Sequence, residues 1–459
     1  MLNRRSFALG LTSTAFAGLA LSGCATTATG TGPRGVSGYG PLLSDPARLL
    51  DLPQGFSYRI ISKFGEPMTD GHVVPDRADG MGPFRLDDRR MALVRNHELQ
   101  AKHAGDGPFR SAAPAGVTAF DRGANGQPLP GGTTTIIYDY RSGKVESQYL
   151  SLVGTIRNCA GGITPWGSWL SCEEDVSRAG SNGLERDHGW VFEVPASRPG
   201  LTTPVPLTAM GRFNHEAAAV DPRTGIVYLT EDRDDSLFYR FLPATRGQLA
   251  RGGRLQALAF RDRGLGADSR NWSGVTFPLQ SWRDSEWIDM DEVESPQDDL
   301  RKRGHARGGV LFARGEGIWF GDGELYFCCT NGGAAKLSQI MRYRPSRFEG
   351  QRGERSEPGR LQLFVESTSS GMLHFGDNIT IAPTGHLIVC EDQSGLSVDN
   401  YLRGVTPDGS VYALARLREQ TELAGACFSP DGGTMFVNVY APGRTLAITG
   451  PWSAFGGRA

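Results

Sequence analysis

Acidic side chains in this chain stand where short apolar runs end, and that placement points to cation chemistry. Met91–Val94 leads into Asn96-His97-Glu98, Trp169–Cys172 into Glu173 and Glu174, Ile226–Thr230 into Glu231 and Asp232, and Leu387–Cys390 into Glu391 and Asp392. Two more runs, Leu325–Cys329 and Met435–Val437, end near Asn331 and Asn438. Four or five β-formers stopping at a polar residue describe a strand that delivers a side chain to one end of a sheet. Sheets arranged in a ring bring such ends together, and converging carboxylates cannot stay ionised without compensation. Bound cations are the simplest compensation.

Other residues fit the same chemistry. Asp235 in Glu231–Asp235, Asp377 before Ile379, and Glu422 before Leu423–Cys427 extend the acidic set. Glu98 and Glu216 each close an Asn-His-Glu triplet, a hard oxygen ligand beside an imidazole. Either triplet alone says little, because a histidine in a sheet protein more often serves hydrogen bonding than ligation. Arg314 is two residues from Glu316 in Arg314-Gly315-Glu316-Gly317, so an extended strand puts both on one side. A planar cation there can grip an anion bound to metal; a surface ion pair is the plainer alternative. Cys159 lies in a turn-rich stretch, Asn158–Gly167, where a thiolate can reach a metal. Arg157 stands beside it. Cys172, Cys328, Cys390 and Cys427 sit in or beside apolar runs and read as small buried hydrophobes. Oxygen ligands alone favour a hard cation such as Ca2+, whereas a thiolate admits a transition metal.

The elements that must position these residues are short strands. With 62 Gly and 27 Pro among 459 residues, tight turns outnumber long helices, and no amphipathic helix of four turns is visible. Asp221–Gly225, Ala382–Gly385 and Ser429–Gly433 are turn sequences, each preceding an apolar run. The strand ends recur too irregularly for a short-period solenoid but suit decorated blades of a β-propeller. Residues 99–131 and 261–308 read as charged loops over one face, and Thr445–Trp452 as a strand that closes the ring against the first blade.

The formal charge of −2 argues against a nucleic-acid partner. Residues 1–24 read as a targeting segment: Arg4 and Arg5 form a twin-arginine motif, an apolar stretch follows, and Leu21–Cys24 is similar to a lipobox with Cys24 as the lipidated residue. Residues 25–40 read as a flexible tether and 41–459 as a single domain, expected to be monomeric and to meet the membrane through its lipid anchor alone. No zinc-helix, EF-hand, P-loop or nucleophile-elbow pattern is present, which leaves nucleotide-dependent and serine-hydrolase chemistry without support.

Taken in order, the motifs resemble the PhoX family of bacterial alkaline phosphatases. The matching segments are Asp79–Phe84 with Val94–Glu98, Asn158–Gly162 with Cys172–Glu174, Gly211–Ala217, Tyr228–Asp232, Arg314–Gly317 with Trp319, Asp377-Asn378, Glu391-Asp392, and Glu422–Gly425 with Phe428–Gly432. The resemblance implies an all-β, six-bladed propeller with loop insertions covering a metal site. It also implies twin-arginine export, two Fe3+ and two or three Ca2+ around a bridging oxo group, and a phosphate-ester substrate. By position, Cys159 and Glu216 would touch iron and Glu316 would be a further ligand. Glu173, Glu174, Asp235, Asp377 and Glu422 would be calcium-like oxygens, Arg314 would grip phosphate, and Arg157 beside Cys159 is the candidate for a second phosphate contact. Glu98 and Glu391 rest on the convergence of strand ends. The expected activity is phosphate monoester hydrolysis in the periplasm or cell envelope. The alternatives are a calcium-binding propeller lipoprotein without hydrolase activity, and a phosphodiester, phosphotriester or lactone hydrolase.

Overall fold

The apolar runs are strands covered on both faces, which is why they read as continuous rather than alternating. Ala92, Leu93 and Val94 are fully buried, as are Val389 and Cys390; each large side chain so buried contributes about 1.5–3 kcal/mol. In this computed structural model, residues 38–262, 267–393, 395 and 397–455 are described. Arg4, Arg5, Cys24 and residues 25–37 of the tether lie outside the described residues.

The strands form five antiparallel sheets. The first holds Ala78–Arg85, Arg90–His97, Gly131–Asp139 and Lys144–Thr155, and the second Asn158–Ile163, Ser168–Glu173 and Val191–Pro195. A nine-stranded sheet starts at His215–Val220, passes through Val227–Glu231, Tyr239–Pro243, Gly253–Phe260 and Trp282–Asp289, and continues through Arg360–Glu366, Gln339–Arg344 and Glu324–Cys329 to Gly315–Gly321. Another begins at Gly376–Ile381 and Leu387–Glu391, and the last at Leu423–Phe428 and Thr434–Val439. The strands starting at Ala78, Asn158, His215, Gly315, Gly376 and Leu423 pack one on the next in a closed circuit, a β-propeller-like arrangement.

Two sequence expectations change. Arg444–Thr449 pairs with Ser57–Lys63, so an early strand, placed as the outer member of the last sheet, secures the circuit instead of the first sheet's own strands. Within 261–308, the stretch read as loop contains the strand Trp282–Asp289 and the α-helix Leu300–Ala306. That strand buries little, so it has no apolar signature; backbone pairing with Gly253–Phe260 on one side and Arg360–Glu366 on the other holds it. No described helix is long and apolar enough to cross a membrane.

Candidate metal centre

One local design is repeated six times at the same end of the circuit. In each inner strand the pairing with the second strand is interrupted just after its start: between Ala78 and Met81, Asn158 and Gly161, His215 and Ala218, Gly315 and Ile318, Gly376 and Ile379, and Ala424 and Cys427. A β-bulge re-aims the side chain it carries and is common beside active sites. The first residues so placed are Asp79, Cys159, Glu216, Glu316 and Asp377, whereas in the last strand Gly425 takes that position.

A backbone hydrogen bond locks the facing residue. The residue leading into each inner strand accepts, through its carbonyl oxygen, the N–H of the residue just beyond the second strand's apolar run. Arg77 thus receives Glu98 (2.9 Å), Arg157 receives Glu174 (2.9 Å), Asn214 receives Asp232 (3.2 Å), Arg314 receives Thr330 (3.0 Å), Phe375 receives Asp392 (2.9 Å) and Glu422 receives Tyr440 (3.1 Å). Arg157 and Arg314 adopt left-handed backbone, with φ 47° and 52°, a strained choice for non-glycine residues that concentrates at functional sites.

Ligand-type atoms meet in four overlapping groups: Asp79, Glu98 and Cys159; Cys159, Glu174 and Glu216; Glu216, Glu316 and Asp377; and Asp377, Asp392 and Glu422. Within each group the atoms lie within 4.8 Å of one another. Eight carboxylates and a thiol therefore form one continuous arc. Burial, reinforced by neighbouring carboxylates, drives the carboxyls of Asp79, Glu216 and Glu316 well above the usual range. The same causes push Asp377 to about 8. The Cys159 thiol is raised by burial and by Glu216 and Glu174. Protons or metal ions must neutralise such an arc.

The donor set fits cations. Both carboxylate oxygens of Glu216 and Oδ1 of Asp79 are buried without a hydrogen-bond donor, and a buried polar atom left unpartnered costs about 1–3 kcal/mol. Two groups include sulfur and suit a transition metal, while two are all-oxygen and suit a hard cation.

Two arginines border the arc. Arg314 holds Asp232 through Nε (2.7 Å) and Nη2 (3.0 Å), and Nη2 also stands 3.0 Å from Oε1 of Glu316. Its Nη1 makes no bond among the described residues. Thr330 Oγ1 donates to Glu316 at 2.9 Å. Arg157, expected as a phosphate contact, already donates from all three nitrogens: Nε to Glu98 (2.8 Å), Nη1 to the Glu174 carbonyl (3.0 Å) and Nη2 to the Glu174 carboxylate (2.6 Å). Its geometry positions those carboxylates.

Of the residues expected at the site, Glu98, Cys159, Glu174, Glu216, Glu316, Asp377 and Glu422 lie in the arc. Glu173, Glu391 and Asp235 do not. Glu173 points into the sheet, where it faces Nδ1 of His188 (2.7 Å) and accepts from the N–H groups of Ile156, Gly189 and Trp190. Glu391 accepts from Arg403 Nε (2.7 Å) and from the N–H groups of His374 and Tyr401. Asp235 pairs outward with Arg301 at 2.7 Å. In the doublets Glu173-Glu174 and Glu391-Asp392, successive side chains take opposite faces, and the second one reaches the arc. Asp79, Asp232 and Asp392 were the residues missed. Their signals were available: Asp79 precedes Gly80 as Glu316 precedes Gly317, and Asp232 and Asp392 are the second members of acidic doublets.

Below the arc the inner strands nearly touch. A Cβ on Gly317 would stand 2.6 Å from Asn378 Cα, and one on Gly425 would stand 2.4 Å from the Asp79 carbonyl oxygen. Glycine at these two positions allows the close approach.

Fold and site together define a β-propeller-like protein whose acidic mouth offers ligands for cations. The family model "Alkaline phosphatase PhoX" matches residues 37–137 and 137–443. The chain belongs to the PhoX alkaline phosphatase family and is a metal-dependent phosphatase acting on phosphate esters. Among solved structures it is similar to Pseudomonas fluorescens PhoX in complex with vanadate, a transition state analogue, with 20% identity, a TM-score of 0.64, and coverage of 91% of this chain and 98% of that one. A gluconolactonase from Xanthomonas campestris also aligns, at 12% identity and a TM-score of 0.39, over 90% of this chain and 98% of that one. No curated protein matches.

Proposed function

We propose that the chain is a six-bladed propeller that hydrolyses phosphate monoesters with Fe3+ and Ca2+ held in the acidic arc. Counting the nine-stranded sheet as two blades joined through Trp282–Asp289 and Arg360–Glu366 gives six with the other four sheets, and the sixfold repeat of bulge and locking hydrogen bond supports that count. Asp79, Glu98, Cys159, Glu174 and Glu216 would hold two ferric ions, since their groups contain sulfur. Glu316, Asp377, Asp392 and Glu422 would hold two or three calcium ions through oxygen alone. Bound there, the cations would supply Lewis acidity at the phosphoryl group.

The chain's own residues do the rest. Arg314, anchored on Asp232, presents Nη1 to a phosphoryl oxygen and stabilises its charge as the leaving group departs. Arg157 keeps Glu98 and Glu174 turned inward, and Thr330 orients Glu316. The observation that carries this reading is an arc of carboxylates bordered by one arginine that is anchored yet has donors left. Export by the twin-arginine route, lipidation at Cys24, a single domain over 41–459, a monomeric state and action in the cell envelope belong to the same proposal.

The test is hydrolysis of a chromogenic phosphate monoester by the exported protein, with calcium and then with chelator, using Glu316→Ala as control. Calcium-dependent turnover lost in the variant is the expected result. No turnover from protein that contains its metals would favour the calcium-binding lipoprotein or another ester.

A further inference from the structure

The rim of the mouth is uneven, and the unevenness bears on the leaving group. At the position just beyond each second strand stand Glu98, Glu174, Asp232, Thr330, Asp392 and Tyr440. Of these, Thr330 and Tyr440 are neutral, and Thr330 belongs to the same blade as Arg314. A phosphoryl group held between the acidic arc and Arg314 must send its leaving oxygen away from the cations in an in-line displacement. On most of the rim it would meet carboxylates. Past Thr330 stands Asn331, whose Nδ2 donates to the Asp234 carboxylate (2.7 Å), and the loops bearing Trp272 and Lys336 lie beyond it.

Two loops are clasped there. Trp272 Nε1 donates to the Asn331 carbonyl (2.7 Å), and the Gly333 N–H donates to the Arg270 carbonyl (2.9 Å). The loop continues to Leu337, whose carbonyl accepts the N–H of Phe375, the residue leading into the next inner strand. The loop that carries Lys336 therefore runs between the Arg314 and Phe375 corners of the mouth. Its Nζ lies 4.6 Å from the centre of the Trp272 ring, and Arg270 lies 4.5 Å from the same ring. Arg270 is neutralised by Asp268 through two bonds of 2.9 and 2.7 Å. Lys336 is exposed and has no ion pair among the described residues.

We propose that Trp272 and Lys336 form a leaving-group subsite that favours phosphate monoesters whose leaving alcohol carries a second anionic group, a carboxylate or another phosphate. The aromatic face holds the ammonium in place without neutralising it. Lys336 is then a specificity-determining residue for the hydrolysis proposed above, on which this inference rests.

The experiment compares matched esters: glycerol phosphate against phosphoglycerate, and fructose monophosphate against fructose bisphosphate. The first pair isolates a carboxylate and the second a phosphate. The readout is the ratio of kcat/KM for the anionic ester to that for its neutral counterpart, with metal-loaded protein. An exposed charge pair is worth up to about 1 kcal/mol, so Lys336→Ala is expected to lower the ratio about three- to fivefold. Lys336→Glu should lower it further, Lys336→Arg should largely retain it, and added salt should shrink all the differences. A ratio unchanged across the three variants overturns the subsite and leaves the phosphatase reading standing. Parallel loss on both members of a pair assigns Lys336 a purely structural role and also overturns it. If metal-loaded wild-type protein turns over none of the four esters, the phosphatase reading falls and the subsite falls with it.

Discussion

Glu216→Gln should change sign between the metal-free and metal-bound protein. Both Glu216 oxygens are buried without a donor, and Glu316, Asp377, Glu174 and Asp79 surround it with like charge. Without metal the carboxyl gains nothing from its site, so the isosteric neutral amide should melt at or above the wild-type temperature. With metal the carboxylate becomes a ligand. A cation at about a thousand times its Kd stabilises the fold by about 4 kcal/mol. Unfolding entropy of about 2.1 cal/mol/K per residue over 459 residues is about 1 kcal/mol/K. One cation therefore raises the melting temperature by about 4 °C. The assay is calorimetry of both proteins, metal-loaded and stripped by chelator, with metal content measured in parallel. Wild type should lose at least that shift on stripping, and the variant should show little or none of it. If the variant were destabilised equally in both states, Glu216 would be an internal packing partner and the cation argument would fail.

The remaining expectations follow from neighbouring residues. Glu174→Gln should lose bound metal while keeping its fold, whereas Glu173→Gln breaks a buried ionic contact with His188 and should cost about 3–5 kcal/mol of stability; denaturant unfolding together with metal analysis separates the two, and equal metal loss in both would refute the facing assignment. His188 lies fully buried between Glu173 and Asp121; burial opposes its charge, yet the two carboxylates raise its pKa from 6.5 to about 9. Its stabilisation is present in full below pH about 6.5 and lost as pH rises through about 9, a change of about 3 kcal/mol. Denaturation of wild type and His188→Gln across that window should show the decline in wild type alone, and parallel curves would sink the assignment.

Much of the site was legible because strand and ligand share one signal, an apolar run that stops at an acid. Glu98 and Glu174 carry it at the end of a run, Glu216, Glu316, Asp377 and Glu422 stand ahead of one, and the structure brings the six together. Which acid of a doublet faces inward was not legible. Glu173 and Glu174 are chemically alike, and only the register opposite Asn158 turns the first into the sheet and the second to the mouth. Asp235 looked like a ligand because it closes a run of acids, but the strand ends at Glu231 and the next residue, Asp232, is the one locked to Asn214. The strand Trp282–Asp289 was hidden for a related reason: its stability comes from partners on both sides that lie far away in the chain.

Residue types and local spacing by themselves determined the short strands, their turns, the acidic ends and the arginine beside Glu316, because each rests on near neighbours in the chain. Tertiary structure alone decided which ends meet. Asp79 and Glu422, more than three hundred residues apart, join the same arc because a bulge aims one, a backbone bond holds the other, and the inner strands approach so closely at Gly317 and Gly425 that a side chain there would clash.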